Sequence, residues 1–105
     1  MALSYDVAGS GPTVALLHST VCDRTMWDPQ MPALVEAGYH VVRCDFRGFG
    51  GTPAPDRPYN DAQDVTDLLD LLGIDRVALI AASGGGRVAL EIAARWPRRV
   101  ASLAL

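Results

Sequence analysis

The chain has 105 residues, half of them hydrophobic and a fifth charged, which is the composition of a globular domain rather than a disordered or fibrous chain. A formal net charge of −3 argues against an electrostatic partnership with nucleic acid or a membrane surface. All nine basic residues are arginines, so phosphate-binding loops, Schiff-base chemistry and serine–lysine dyads, each of which needs a lysine amine, are excluded.

Residues 2–8 alternate weakly, as a short edge strand does, before the turn cluster Gly9-Ser10-Gly11-Pro12. Thr13 to Leu17 is a continuous apolar run ending at His18, the pattern of a strand buried on both faces of a parallel sheet. His18 to Met26 reads as a loop. Asp28 before Pro29 signals a helix start with a capping carboxylate, and Met31, Leu34 and Val35 share one face ahead of a stop at Gly38. Tyr39 to Cys44 is the next strand, followed by the loop Asp45 to Thr52 and an extended Pro-rich connector over Pro53–Pro58.

Asn60 and Gln63 match a capping box, and Val65, Leu68, Leu69 and Leu72 repeat at helical spacing up to Gly73. Asp61, Asp64, Asp67 and Asp70 read as the solvated face of that helix rather than as a metal site. Val77 to Ala82 is a strand, Gly84 to Trp96 a helix stopped by Pro97, and Val100 to Leu105 a further apolar strand. Strands and helices alternate throughout, which predicts an α/β fold with helices on both faces of a mostly parallel sheet, in one domain over residues 1–105. The cysteines, Cys22 and Cys44, have no metal-ligand spacing and suggest no disulfide framework. Cys44 reads as a buried small hydrophobe. With no leader segment and no membrane-length apolar run, a cytoplasmic, reducing location is expected.

The sharpest local feature is Ser83. An apolar strand ends there among small residues and turns at once into a helix, a geometry that presents a serine hydroxyl clear of its backbone. Ser83 is therefore expected to be a nucleophile, with the Gly84 amide at the helix start facing a developing oxyanion. Gly85 and Gly86 are expected to be small because helix meets strand there. A serine in this place can also simply cap the helix. Gly84-x-Gly86-x-x-Ala89 formally fits a dinucleotide fingerprint as well, but no acidic residue follows on a later strand, so no cofactor is expected.

Taken together, the strand into His18, Met26-Trp27, Asp45-x-Arg47-Gly48-x-Gly50, Leu72-Gly73-Ile74, the serine turn and Arg95-Trp96-Pro97 resemble the α/β-hydrolase fold family, in particular its esterase, lactonase and peroxidase-like groups. The resemblance implies a three-layer α/β/α fold of which this chain is the N-terminal part. It also implies that Ser83 is the nucleophile and that the backbone amides of Gly84 and Thr20 form the oxyanion hole. Ala81 stands where the family mostly has glycine. Ser19 stands where glycine usually follows the histidine, which leaves the orientation of the Thr20 amide open. A serine nucleophile does not look like an epoxide hydrolase or haloalkane dehalogenase, which use aspartate. His18 is expected to shape the oxyanion loop rather than act as base, and Arg47 to brace its own loop.

Family members are more than twice this length, with acid and base on later loops. Here no carboxylate follows Glu91 and no histidine follows His40. The expectation is a hydrolase of a small ester, lactone or related acyl substrate, with no metal or cofactor, whose 105 residues alone are close to inactive. The last strand is expected to need a missing C-terminal half or a partner chain. The alternative is a non-catalytic fragment that pairs this open edge with a partner.

Overall fold

Strands β1 (Tyr5–Ala8), β2 (Thr13–Leu17), β3 (His40–Cys44), β4 (Val77–Ala81) and β5 (Val100–Ala104) form one sheet in the order β1-β3-β2-β4-β5, in a computed structural model that describes residues 3–105. β1 runs antiparallel to β3, Tyr5 opposite Cys44, and every other neighbouring pair is parallel. Of the expected first strand, residue 2 lies outside the described residues.

Helices α1 (Gln30–Glu36), α2 (Asp61–Leu71) and α3 (Gly84–Arg95) cover the sheet unequally. On one face, Val65, Leu69, Ala89 and Ile92 of α2 and α3 pack on alternate residues of the strands, such as Leu17, Val42 and Leu79. On the other, Met31, Leu34 and Val35 of α1 join Trp27 over Val14, Leu16 and Val41. Each β2 residue from Val14 to Leu17 is at most 4% exposed, which is why that strand reads as an unbroken apolar run. The three-layer α/β/α architecture expected from the sequence is present.

Two helix ends follow their glycines. Gly38 and Gly73 adopt φ of 96° and 71°, and the next amides, Tyr39 and Ile74, reach back to the carbonyls of Leu34 and Leu69 at 3.1 and 2.8 Å. This is the closure that satisfies the last carbonyls of a helix, and a residue with a Cβ resists the left-handed turn it requires.

Other local expectations are corrected. Asp28 does not cap α1: Pro29 stands at the cap position and makes no side-chain cap bond, and the Asp28 carboxylate instead pairs with Arg43 on β3. The expected loop before it contains a 3-10 turn over Arg24–Trp27, capped by Asp23. At α2 half of the capping box forms. The Asn60 side chain accepts from the Gln63 amide at 2.8 Å, while the Gln63 side chain turns to Thr66 and Asp67. Nor is the aspartate stripe uniformly solvated. Asp64 receives two hydrogen bonds from Arg47, at 2.8 and 3.2 Å, and the two side chains are only 12% and 5% exposed. Burial pushes the Asp61 carboxyl above its ordinary value, with the Asp64 charge adding to the effect. The first turn of α2 lies under the loop that follows β3, so its carboxylates face protein rather than water.

Cys44 is buried and, as its apolar setting dictates, burial pushes its thiol up to about 12. Cys22 is partly exposed and both thiols are free. Ellman's reagent should therefore modify Cys22 readily and Cys44 only after the chain is unfolded; fast modification of Cys44 under native conditions would contradict the packing.

Candidate active site

After β2 the chain passes to α1 on one face of the sheet, and after the adjacent β4 it passes to α3 on the other. That divergence opens a crevice beyond the carboxyl ends of two parallel neighbours, where ligands bind in open α/β sheets. His18-Ser19-Thr20 leave one lip of it and Ser83-Gly84 the other.

Ser83 has φ 52° and ψ −115° and is the one non-glycine residue with positive φ among the described residues. Such a conformation costs about 1–3 kcal/mol and persists only where its surroundings enforce it. Here the Ala82 amide donates to the Leu17 carbonyl at 3.2 Å, and the Gly85 and Gly86 amides close the turn onto Ala82 and Ser83 at 2.9 and 2.8 Å. The side chain of Ser83 is exposed and makes no capping hydrogen bond. It occupies the position of a helix cap without doing a cap's work.

The glycines after it differ in what they permit. A Cβ on Gly85 would stand 2.5 Å from the Leu17 carbonyl oxygen and 2.6 Å from that of His18, both main-chain atoms. On Gly86 it would meet only the flexible end of Leu105, at 3.4 Å. Gly85 is thus small of necessity, whereas the expectation of a clash at Gly86 is not met. Gly85→Ala should destabilise the fold by about 1–3 kcal/mol through overpacking, and Gly86→Ala by much less; urea unfolding of the two variants measures the difference.

Gly84 abuts the facing loop. A Cβ there would overlap the Thr20 side chain and lie 3.4 Å from the Thr20 nitrogen. The two residues expected to supply oxyanion donors are therefore side by side across the crevice mouth. Among the described residues neither of their amides donates to a protein group.

His18 is fully buried against the rings of Phe46 and Phe49. Its Nδ1 lies 2.7 Å from the Ser19 carbonyl, and its Nε2 lies 3.0 Å from the Phe46 amide nitrogen. A carbonyl can only accept and an amide N–H can only donate, so Nδ1 carries the proton and Nε2 accepts. Both nitrogens are occupied, in keeping with a loop-shaping residue. His40 begins β3, and its Nδ1 lies 3.1 Å from the Thr13 hydroxyl.

Residues given no role by the sequence anchor the same loop from below. Asp45 is 1% exposed and accepts from the Arg24 amide at 2.7 Å, the Gly51 amide at 2.8 Å and the Arg24 guanidinium. Arg24 also reaches Asp6 on β1, and this bond is the main influence holding the Asp6 carboxyl below its ordinary value. Met26 places its thioether sulfur 3.3 Å from the Ser19 amide. Arg47 ties the loop after β3 to α2 through Asp64. Among the described residues no group of three or more His, Cys, Asp or Glu side chains is arranged to hold a metal ion. No helix among them is long and apolar enough to cross a membrane.

This fold and crevice are those of one class of proteins. The family model for the alpha/beta hydrolase fold matches residues 12–105, and the chain belongs to that family. It is 40% identical, over its whole length, to a protein of Variovorax paradoxus that carries a carbamate-hydrolase name, and spans 42% of that protein. It is 37% identical to epoxide hydrolase 2 of Siraitia grosvenorii, over 90% of this chain and 32% of that one. Among solved structures, the enol-lactonase of Burkholderia xenovorans superposes with a TM-score of 0.91 at 35% identity, covering 98% of this chain and 42% of that chain. The chain thus spans about two fifths or less of the curated relatives and solved structures named here.

Proposed function

We propose that this chain is the nucleophile-bearing part of a serine hydrolase that cleaves a small ester, lactone or related acyl compound through an acyl-Ser83 intermediate. The observation that carries this reading is the strained, exposed, uncapped Ser83 set beside the adjoining Gly84 and Thr20 amides. In the proposed step Ser83 Oγ attacks the substrate carbonyl and loses its proton to a base outside these residues. The carbonyl oxygen takes the negative charge and is held by the two amides. The leaving group departs with that proton, and water then hydrolyses the serine ester. No cofactor or metal enters the scheme. A small-molecule substrate and a cytoplasmic setting, the latter in keeping with two free thiols, belong to the same reading.

The epoxide-hydrolase relatives raise a competing chemistry, and a serine nucleophile argues against it. Attack by a serine oxygen on an epoxide carbon leaves a serine ether, which has no carbonyl for water to attack and would not turn over. Attack on an acyl carbon leaves an ester, which does. The lactonase and carbamate-hydrolase names among the similar proteins agree with an acyl substrate.

A fluorophosphonate probe that phosphonylates activated serines tests the assignment. The full-length protein carrying these residues should label, and Ser83→Ala should not; equal labelling of the two ends the nucleophile assignment. A second reading, a non-catalytic chain that docks through its sheet edge, is favoured by one observation: Ala101 to Leu105, most of β5 and its end, are exposed. Partner-dependent binding by the chain with no labelling at Ser83 would support it.

A further inference from the structure

The Thr20 amide can serve an oxyanion only if its N–H faces the crevice, and the surroundings of the Ser19–Thr20 peptide bear on that. The Ser19 carbonyl accepts from His18 Nδ1 at 2.7 Å and from the Cys22 amide at 3.1 Å. In a trans peptide the carbonyl and the following N–H point in opposite directions, and no peptide bond among the described residues is cis. Pulling the Ser19 oxygen toward the histidine therefore turns the Thr20 N–H away from it. On the other side of the same residue, the Ser19 N–H is taken up by the Met26 sulfur at 3.3 Å. The histidine is itself held from behind by the Phe46 amide at 3.0 Å, which leaves Nδ1 as the protonated nitrogen.

We propose that Met26 is a positioning residue: its thioether holds the Ser19 N–H while the loop-shaping His18, through its Nδ1–H tautomer, holds the Ser19 carbonyl, and the two contacts together aim the Thr20 amide at the oxyanion. This rests on the serine-hydrolase reading and adds the means by which a loop with serine in place of glycine keeps its donor aligned. Neither side chain touches the reacting atoms. Their effect falls on the charged, tetrahedral state and leaves ground-state binding unchanged.

The substitutions follow the geometry. Asparagine at position 18 places an amide N–H near the position of Nδ1, whereas glutamine places its polar group near Nε2. His18→Asn should therefore retain the bond to the Ser19 carbonyl, and His18→Gln should lose it. Met26→Leu keeps volume and apolarity while deleting the acceptor. The measurement is phosphonylation of the full-length protein by a fluorophosphonate, resolved into reversible binding and the covalent step. The phosphoryl oxygen must enter the oxyanion hole in that covalent step.

His18→Gln is expected to slow the covalent step by about ten- to a hundredfold, below the 10²–10³ of deleting a donor outright, with reversible binding unchanged. His18→Asn should recover most of the rate, and Met26→Leu should slow the covalent step several-fold. An unchanged covalent rate in Met26→Leu overturns the proposal, as does equal impairment by His18→Asn and His18→Gln. If His18→Gln fails to fold, Met26→Leu decides alone. Should wild type and Ser83→Ala label equally, it is the hydrolase reading that has failed. Normal labelling lost in Ser83→Ala but indifferent to His18 and Met26 defeats only the positioning role.

Discussion

Replacing Arg47 by Met is expected to remove about 3–5 kcal/mol of stability, a large part of the roughly 5–15 kcal/mol typical of a native domain. The Arg47 and Asp64 side chains are 5% and 12% exposed and share two hydrogen bonds. Deleting the guanidinium strands a carboxylate that water reaches only at its edge. Much of the loss is the penalty on the remaining charge and not the value of the pair, so Arg47→Met with Asp64→Leu should be markedly more stable than Arg47→Met alone. Urea unfolding of the two single variants and the double variant measures this. Additive effects would mean that the two side chains are not coupled.

The second large effect is the loss of turnover when these 105 residues stand alone. A serine hydroxyl needs a base to be an effective nucleophile at neutral pH. The chain has two histidines, and neither is free to act. Both nitrogens of His18 are engaged in a fully buried site, and His40 sits at the start of β3, the opposite end of the sheet from Ser83. What remains is the strained serine with its candidate oxyanion donors, and catalysis without a complete triad is on the order of 10³–10⁴ over water. With p-nitrophenyl acetate the isolated chain should turn over at less than about one hundredth of the full-length rate, since whole enzymes commonly exceed 10⁶-fold acceleration. A Ser83-dependent rate equal to that of the full-length protein would show that these residues contain their own base.

Much of this organisation was legible in the chain. The unbroken apolar run from Val14 to Leu17 announced a strand covered on both faces, and Gly38 and Gly73 stand where two helices close. Ser83 was legible for the same local reason: small residues on either side leave few conformations except a tight strand-to-helix turn. The misreadings share a cause as well. Asp28 was expected to cap the helix beside it and is drawn instead to Arg43, fifteen residues away. The polar sequence neighbours of Asp64 on α2 suggest a solvated face, while its partner Arg47 comes from the loop after β3. Local pattern reports periodicity and turn chemistry, but not which distant charge will be folded against a given carboxylate.

The site shows the same division. His18 could be assigned to loop shaping but not to a tautomer, since the tautomer depends on the Phe46 amide 28 residues further on. Arg24 and Met26 carry no local signal for their part in holding the loop after β2. A charged residue just past the end of a buried strand, as Asp45 is, would have been the one hint. It must find partners there or remain an unpaired buried charge.

The acyl-serine is the species that the proposed chemistry requires. Full-length protein mixed with p-nitrophenyl acetate, quenched in acid within milliseconds and digested, should yield an acetylated peptide spanning Ser83, absent from Ser83→Ala. An ester adduct on a carboxylate, or turnover with the Ser83 peptide unmodified at every quench time, would contradict it.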